Sequence, residues 1–248
     1  MKTISVDPTG AAAIAKAIPK DGWNKMVNVA CNTFSDVMSP LTKTTAGLGG
    51  LIEGKFKAMI DVQKVFAADA LARARKKFDS TGRVSAAPPK AKVLLPAIES
   101  ASVETDDGLR DIWANLIANE MLDASVHPEF PSILARLGPH DAKVLSEIAR
   151  NNTKSWVKAA AQKLASSISI LGVNFDEPVD FSREHLNRLG LIKRPDGIWT
   201  LTHFGEEFVK AVTEPKNPRE TERSDHTPHT QRRHFDSADH RAASTRRR

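Results

Sequence analysis

The chain has too few thiols and too little continuous apolar sequence for several common classes of protein. Cys31 is the single cysteine among 248 residues, so an internal disulfide and a zinc site built on paired thiols are both excluded. No uninterrupted apolar run approaches the roughly 18 residues of a transmembrane helix, and the amino terminus lacks the apolar segment of a signal peptide. We therefore expect a cytoplasmic protein, long enough to bury one large core or two small ones.

Signatures of catalysis are missing as well. The sequence contains no nucleophile elbow, no His-Glu metalloprotease helix and no set of kinase motifs. Residues 49–55 have the G-x-x-x-x-G-K spacing of a phosphate-binding loop, but Phe56 follows where a Ser or Thr must reach magnesium. His127 and His140 lack metal-ligand spacing with another His, Asp or Glu. We predict that the protein is not an enzyme and uses no cofactor or metal.

Composition and periodicity divide the chain into six regions. The amino-terminal helical region should contain one helix that ends near Met38 and a long helix from about Leu51 to Phe78. The long helix is rich in Lys and Arg. This pattern indicates a solvated face or, as an alternative, a helix that faces phosphate groups or a membrane surface. The predicted regions are a flexible amino terminus (1–20), the amino-terminal helical region (21–82), a linker (83–90), a central block (91–151), a winged-helix-like unit (152–213) and a disordered basic tail (214–248).

The central block has clear start and stop signals for three consecutive helices. Thr105 and Asp106 offer an N-cap to the first helix, whose apolar residues recur at spacings of three and four. Two prolines suit the first turn of the second helix, Gly138 is expected to end it, and Pro139 opens the third. The apolar positions are Leu109, Ile112, Trp113, Leu116, Ile117 and Met121, then Phe130, Ile133, Leu134 and Leu137, then Val144, Leu145 and Ile148; the two prolines are Pro128 and Pro131.

This block resembles the bacterial abortive-infection alpha family. In that family an E-x-D-D-x-L-x-x-x-W-A-x-L-x-A-N segment leads into an H-P-x-F-x-x-I-L-x-x-L-x-P-x-D-A-x-x-L segment. The matching residues are Glu104, Asp106, Asp107, Leu109, Trp113, Ala114, Leu116, Ala118 and Asn119, then His127, Pro128, Phe130, Ile133, Leu134, Leu137, Pro139, Asp141, Ala142 and Leu145. The resemblance covers residues 45–212 and implies a role in self-sacrifice or protection during phage infection. It brings no catalytic residues with it.

Glu120 breaks the apolar pattern of the first central helix. On a helical wheel it projects into the middle of the apolar stripe formed by Leu109, Trp113 and Leu116. A buried carboxylate must be paired or protonated. Glu120 is therefore a candidate buried charge or interface residue. It acts as a general acid or base, marks a subunit contact, or simply meets an Arg or Lys of a neighbouring helix.

The last third of the chain predicts a helix, a small hairpin and a final helix. Ser182 is expected to cap the first of these helices and Thr202 the second, and Pro195–Gly197 should form the turn of the hairpin. This order resembles the closing half of winged-helix domains, in which a helix enters the major groove of DNA and the wing touches the backbone. The candidate nucleic-acid contacts are Arg183, His185, Asn187 and Arg188 on the helix, and Lys193 and Arg194 on the wing.

The positive charge is concentrated toward the carboxy terminus. Residues 214–248 contain nine Lys or Arg and six Asp or Glu, which is half of the net charge of +6. Phe235 is the one large apolar residue of this tail, so it cannot bury enough surface to offset its chain entropy. The tail is either a solubilising appendage or a contact for nucleic acid or an anionic surface.

The sequence thus predicts a mainly α protein with a small winged-helix-like α+β unit and a disordered tail. The leading prediction, which rests on the resemblance, is a non-enzymatic component of an anti-phage, abortive-infection defence that acts through contacts with a protein partner or a second copy. Two alternatives remain open. One is a DNA-binding transcriptional regulator that uses the winged-helix-like unit, and the other is a membrane-surface or interaction module that uses the basic helix 51–78.

Overall fold

The chain is mainly helical, as its sequence predicts. The computed structural model describes residues 19–44, 46–168 and 179–215, and these ranges contain ten α-helices and one two-stranded antiparallel sheet. The elements are α1 (Lys20–Thr44), α2 (Ala46–Ala58), α3 (Asp61–Ser80), α4 (Ala91–Ala101), α5 (Asp107–Asp123), α6 (Phe130–Leu134), α7 (Pro139–Arg150), α8 (Ser155–Ser167), α9 (Val179–Arg188), β1 (Ile192–Lys193), a 3-10 turn (Pro195–Gly197), β2 (Thr200–Leu201) and α10 (His203–Ala211).

Helix α5 lies at the centre of the fold. Its residues 112–118 are all buried, and it contacts α3, α4, α8 and α10. Residues 112–118 make about two turns, so the middle of α5 is buried on every side, and its residues there are apolar or small apart from Asn115. One cluster of buried apolar side chains runs from Phe34 on α1 to Val212 after α10. The boundaries between the predicted regions remain predictions.

Two predicted helix caps are confirmed. The Asp106 carboxylate accepts a hydrogen bond from the Leu109 N–H at 2.8 Å, and the Thr202 hydroxyl accepts one from the Gly205 N–H at 2.9 Å. Each cap satisfies one of the free N–H groups in the first turn of its helix. These caps start α5 and α10, the two helices that later form the walls of the candidate site.

Ion pairs join α3 to α5 along their exposed edge. The bases and acids on each helix are spaced three or four residues apart, so they face the other helix in successive turns. The pairs are Arg73 with Asp107 at 2.7 Å, Lys77 with Asp111 at 2.9 Å and Arg110 with Asp69 at 3.2 Å. A hydrogen bond from Arg73 is the main reason why the pKa of Asp107 lies below its usual value. Acidic residues of the central block thus hold two helices together.

The prediction of one long helix from Leu51 to Phe78 is wrong, because this stretch contains parts of two helices. Helix α2 ends at Ala58, and α3 begins at Asp61 after an extended Ile60 (φ −70°, ψ 160°). The side chain of Gln63 accepts a hydrogen bond from the Ile60 N–H at 3.2 Å. An acidic residue in the first turn and this reverse hydrogen bond both favour a new helix start here.

The first helix runs past its predicted end. Helix α1 continues through Pro40 to Thr44 instead of ending near Met38. Phe34, Val37 and Met38 are buried against the core. This tertiary packing outweighs the local preference for ending a helix before proline.

Two other predicted helix boundaries are also wrong. Helix α6 ends at Leu134, and Gly138 caps the start of α7 instead of ending α6, because its N–H donates to the Asp141 carboxylate at 3.0 Å. Ser182 does not cap α9, which begins at Val179. Its hydroxyl lies 2.8 Å from Nδ1 of His140 in the core. Gly138 thus acts at the start of a helix through a partner three residues away, whereas Ser182 has its partner 42 residues away in the sequence.

The predicted hairpin is confirmed. Ile192 pairs with Leu201 and Lys193 with Thr200, and the turn is made by Asp196 and Gly197, both with positive φ. Helix, hairpin and helix therefore follow one another as expected, while the winged-helix assignment itself stays a prediction. Residues 1–18 of the predicted flexible amino terminus and the predicted tail from residue 216 onward lie outside the described residues. No described helix combines the length and apolarity of a membrane span.

Candidate functional site

A groove runs between the carboxy-terminal half of α5 and one face of α10. It consists of two adjoining cavities of about 550 and 330 Å³. The two cavities share four lining residues, Asn119, Asp123, Glu207 and Lys210, which we call the polar saddle. Cavities of this size fall within the range that bound ligands and side chains occupy in proteins. We refer to the whole feature as the α5–α10 groove.

The larger cavity has an apolar floor with a charged rim. Leu122 on α5 and Trp156 and Ala160 on α8 line it, and Pro215 closes one side. The rim adds side chains of both signs and one hydroxyl residue, namely Arg83, Thr213 and Glu214. Trp156 is half-buried, so part of its ring faces the cavity. We call this cavity the Trp156 end.

The smaller cavity has an aromatic floor. The rings of Phe130 and Phe204 meet edge to face with centroids 5.2 Å apart. His127 lies 5.6 Å from the first ring and 5.8 Å from the second. Edge-to-face aromatic pairs hold one another in fixed orientations. This cavity, which we call the Phe204 end, therefore has an ordered aromatic floor, with the polar residues Ser125, His127 and His203 also lining it.

The polar saddle arises from helical spacing on two elements. Asn119 and Asp123 are one turn apart at the end of α5, and Glu207 and Lys210 are one turn apart on α10. Lys210 Nζ lies 3.5 Å from the Glu207 carboxylate. The exposed Asp123 carboxylate accepts a hydrogen bond from the Ser125 N–H and forms no ion pair with any residue in the described ranges. The saddle thus offers a carboxylate to an incoming cation.

Two asparagines of α5 hold the end of α10 in place. Asn119 Nδ2 donates to the carbonyls of Ala211 at 2.9 Å and Thr213 at 2.8 Å. Asn115 Nδ2 donates to the Val212 carbonyl at 3.0 Å. The last carbonyls of a helix have no partner within the helix, so these side chains satisfy groups that would otherwise be buried and unpaired. The two walls of the groove are therefore tied together.

Glu206 anchors the first half of α10 to the residues that precede α8. Its carboxylate accepts hydrogen bonds from Lys154 and from Asn152, the latter at 3.1 Å. The hydrogen bond from Lys154 is the main cause of a lowered pKa for Glu206. With the asparagines at one end and this ion pair at the other, α10 is fixed along its whole length.

The six predicted nucleic-acid contacts fall into two groups. Arg183 pairs with Asp180 at 3.2 Å, His185 Nδ1 lies 3.1 Å from the Asp141 carboxylate, and Arg194 donates to the Gly197 carbonyl within the hairpin turn. These three side chains have partners within the protein. The other three, Asn187, Arg188 and Lys193, are exposed.

The surface around these residues is electrically balanced. Residues 179–213 contain five Lys or Arg and five Asp or Glu, so their formal charge is zero. The cations are Arg183, Arg188, Lys193, Arg194 and Lys210, and the anions are Asp180, Glu184, Asp196, Glu206 and Glu207. Affinity for nucleic acid comes mainly from clustered positive charge. Residues 179–213 carry no excess of positive charge, which weighs against strong binding of nucleic acid by this segment.

The basic charges between Leu51 and Phe78 are largely neutralised. Six of the seven Lys and Arg side chains assigned to this stretch form ion pairs, while Lys76 forms none with a described residue. The six pairs are Lys55–Glu99, Lys57–Glu53, Lys64–Asp61, Arg73–Asp107, Arg75–Asp79 and Lys77–Asp111. Paired charges attract an anionic surface only weakly, because each cation is offset locally.

Glu120 is fully buried, at 0 % exposure. Its Oε1 accepts a hydrogen bond from the Lys90 N–H, and the Lys90 ammonium lies 3.7 Å from Oε2. That ammonium also donates to the Val126 carbonyl. Burial raises the pKa of Glu120 despite these contacts. Glu120 is separate from the α5–α10 groove, whose cavities it does not line.

Sequence reasoning missed most of the groove. Asn119 and His127 are recognisable in the motif segments, but Asp123, Trp156 and Glu207 belong to no motif and give no signal of a site. Helices distant in sequence bring them together. Within the described part of the chain, no group of three or more His, Cys, Asp or Glu side chains is arranged to hold a metal ion.

Comparison with known proteins gives one match. The family model described as abortive infection alpha matches residues 66–212, which is more than half of the chain. This range includes α5, α10 and every lining residue of the groove except Thr213, Glu214 and Pro215. No curated protein and no solved structure matches the chain.

Proposed function

Because the chain belongs to the abortive infection alpha family, we propose that it acts in abortive-infection defence as a non-enzymatic component that binds a protein partner through the α5–α10 groove. Membership associates the chain with this defence. The mode of action, by protein contact and without catalysis, is our proposal. The observation that carries it is the groove itself, with apolar ends on either side of a polar saddle.

The chemistry of the groove favours a protein partner. Apolar cavities bind the apolar side chains that anchor a partner. A polar centre with an unpaired charge adds specificity, because it favours partners that can pair with that charge. Asn119 and His127, which belong to the family's motif segments, both line the groove. The groove is also held rigid by the asparagine contacts and by the Glu206 ion pair. A rigid surface loses little conformational entropy on binding, so more of the contact energy appears as affinity.

The experiment is a plaque assay in a strain where the native chain reduces plaque formation. Asp123→Arg and Glu207→Arg place a bulky cation in the saddle. Each should weaken binding of the partner by at least about tenfold, or about 1.4 kcal/mol, and so raise plaque formation toward the level of a strain without the chain. The matched control is Glu147→Arg, an exposed glutamate of α7 that lines neither groove cavity.

Full protection by both saddle variants would contradict the proposal that the groove is the acting surface. A native chain that protects against no phage would remove the support for a role in defence. Thermal unfolding of each variant checks that the fold is retained. Exposed substitutions of this kind usually change the free energy of unfolding by less than about 0.5 kcal/mol.

A DNA-binding regulator is the second candidate function. Arg188 and Lys193 support it, since both are exposed and neither forms an ion pair within the described ranges. The balanced charge of residues 179–213 weighs against it. A membrane-surface role for the stretch 51–78 has less support, because most of its cations are paired within the chain.

A further inference from the structure

We infer that the segment bound by the α5–α10 groove is an extended peptide that presents a Lys or Arg between two apolar side chains. This inference rests on the proposed function and names the chemistry of the partner. Its three elements are the charge of the saddle, the character of the two ends and the distance between them.

The charge of the groove selects a cation. Three carboxylates line it, those of Asp123, Glu207 and Glu214, against the two cations Arg83 and Lys210. Lys210 already pairs with Glu207 on its own helix. Asp123, at the centre of the groove, has no cationic partner among the described residues. A Lys or Arg side chain placed over the saddle would supply that partner, whereas an acidic side chain would be repelled.

The two ends select apolar side chains. The Phe204 end offers the half-buried ring of Phe204 beside the buried Phe130, and the Trp156 end offers the half-buried ring of Trp156 beside the buried Leu122 and Ala160. Aromatic and aliphatic anchors in such cavities contribute much of the affinity in peptide recognition. Each end is large enough for one Leu, Met or Phe side chain, so the groove takes two anchors.

The length of the groove sets the spacing of the anchors. The groove follows α10 from Phe204 to Ala211, seven residues or about 10 Å along the helix, and continues past the end of the helix to Thr213. An extended peptide advances about 3.3 Å per residue. Two anchors four residues apart therefore span the groove, with the residue midway between them over Asp123. In an extended chain, side chains at even spacings point to the same side, so all three face the groove together.

The test is fluorescence anisotropy of labelled heptapeptides with the full chain. The first peptide has leucine second, lysine fourth, phenylalanine sixth and serine elsewhere. A second has glutamate in place of the lysine, and a third has serine in place of both apolar residues. The first peptide should bind at least about tenfold more tightly than either of the others. Asp123→Asn should weaken its binding roughly fivefold, as loss of one partly exposed charge contact does, while Glu147→Gln leaves it unchanged.

Equal binding of the lysine and glutamate peptides, no response to Asp123→Asn, or no binding of any peptide would each overturn the inference. The plaque assay separates these failures from failure of the proposed function. If Asp123→Arg and Glu207→Arg abolish protection but the peptides do not discriminate, the groove acts on a partner of different chemistry. If the same variants protect fully, the proposed function fails whatever the peptides show.

Discussion

Glu120 shows how a single residue is placed against the preference of its environment. It lies on α5, next to the fully buried stretch 112–118, and its carboxylate has the backbone N–H and the ammonium of Lys90 within reach. The Lys90 side chain is partly exposed to solvent, and its ammonium also donates to the Val126 carbonyl. It therefore offsets only part of the cost of burying the Glu120 carboxylate. Burial therefore dominates, and the pKa of Glu120 is raised. Its position ties the start of α4 to the end of α5.

Glu120→Gln should gain stability relative to the native protein as the pH rises. The carboxyl group has a folded-state pKa above its ordinary value of 4.5, so it favours folding below that value and loses this contribution as the pH rises through the folded-state pKa. Glutamine keeps an acceptor for the Lys90 N–H and does not ionise. Denaturant unfolding between about pH 4 and pH 8 measures the difference, with Glu147→Gln as the control. Parallel pH profiles for Glu120→Gln and the native protein would contradict the argument.

Asn119→Ala should destabilise the protein by about 1–3 kcal/mol, because the carbonyls of Ala211 and Thr213 lose their donor while remaining buried. Asn187→Ala, on the exposed face of α9, is the matched control and should change the free energy of unfolding by less than about 0.5 kcal/mol. Chemical denaturation compares the two. A similar small effect for both would show that α10 is not held by this side chain.

At the scale of elements, α10 and the hairpin approach each other at one glycine. A Cβ atom added to Gly205 would lie 1.9 Å from the Leu191 carbonyl oxygen. Thr202, which caps α10, also donates from its hydroxyl to the carbonyl of Gly190. Glycine at position 205 is therefore required by contact between two backbones. That contact fixes how α10 emerges from the hairpin and hence where Glu207 and Lys210 point.

Substitution of alanine for two of the glycines should change the stability of the protein in opposite directions. Gly205→Ala should destabilise by about 1–3 kcal/mol or more, since the carbonyl it meets is backbone and cannot rotate away. Gly54→Ala, inside α2 with open space around the new methyl group, should stabilise by about 0.5–1 kcal/mol through reduced backbone entropy of the unfolded chain. Thermal unfolding of both variants and the native protein shows whether each substitution raises or lowers stability. A neutral Gly205→Ala would mean that α10 can shift away from the hairpin.

At the scale of the whole molecule, charge is distributed so that the folded part is nearly self-compensating. The cations of α3 face the acids of α5, and the residues of the winged-helix-like unit from 179 to 213 sum to zero. The tail from residue 214 holds half of the net positive charge. Any long-range attraction for polyanions therefore depends on the tail more than on the helix and wing.

Arg188→Ala combined with Lys193→Ala should leave binding to duplex DNA unchanged. Each true phosphate contact lowers the slope of log affinity against log salt by about 0.9, so loss of two contacts would be evident in a gel-shift titration over salt concentration. We expect the same slope for the native chain and the double variant. If the slope of the double variant is less negative by nearly two and its binding is weaker, the DNA-binding regulator is favoured over the protein-binding role.

Local sequence patterns were sufficient for much of the fold. Asp106 and Thr202 act on N–H groups three residues away, and the Pro195–Gly197 turn is specified by its own residues. The apolar spacing of α5 predicts its burial, and with it the burial of Glu120. Such features are readable because capping, turn chemistry and helical periodicity depend on neighbours within about one turn. The same local rules failed at Pro40 and Ser182, where packing against distant helices prevailed.

The sequence by itself determined the helical class, the hairpin, the caps of α5 and α10 and the family resemblance, all through interactions between near neighbours. Only the tertiary structure decided that Asn119 would hold the end of α10, that His185 would turn to Asp141, and that Asp123 would stand opposite Glu207 in a groove. These partners are 44 to 94 residues apart along the chain. Contacts at that separation depend on how whole helices pack, and helix packing depends on the complementary shapes of many side chains together.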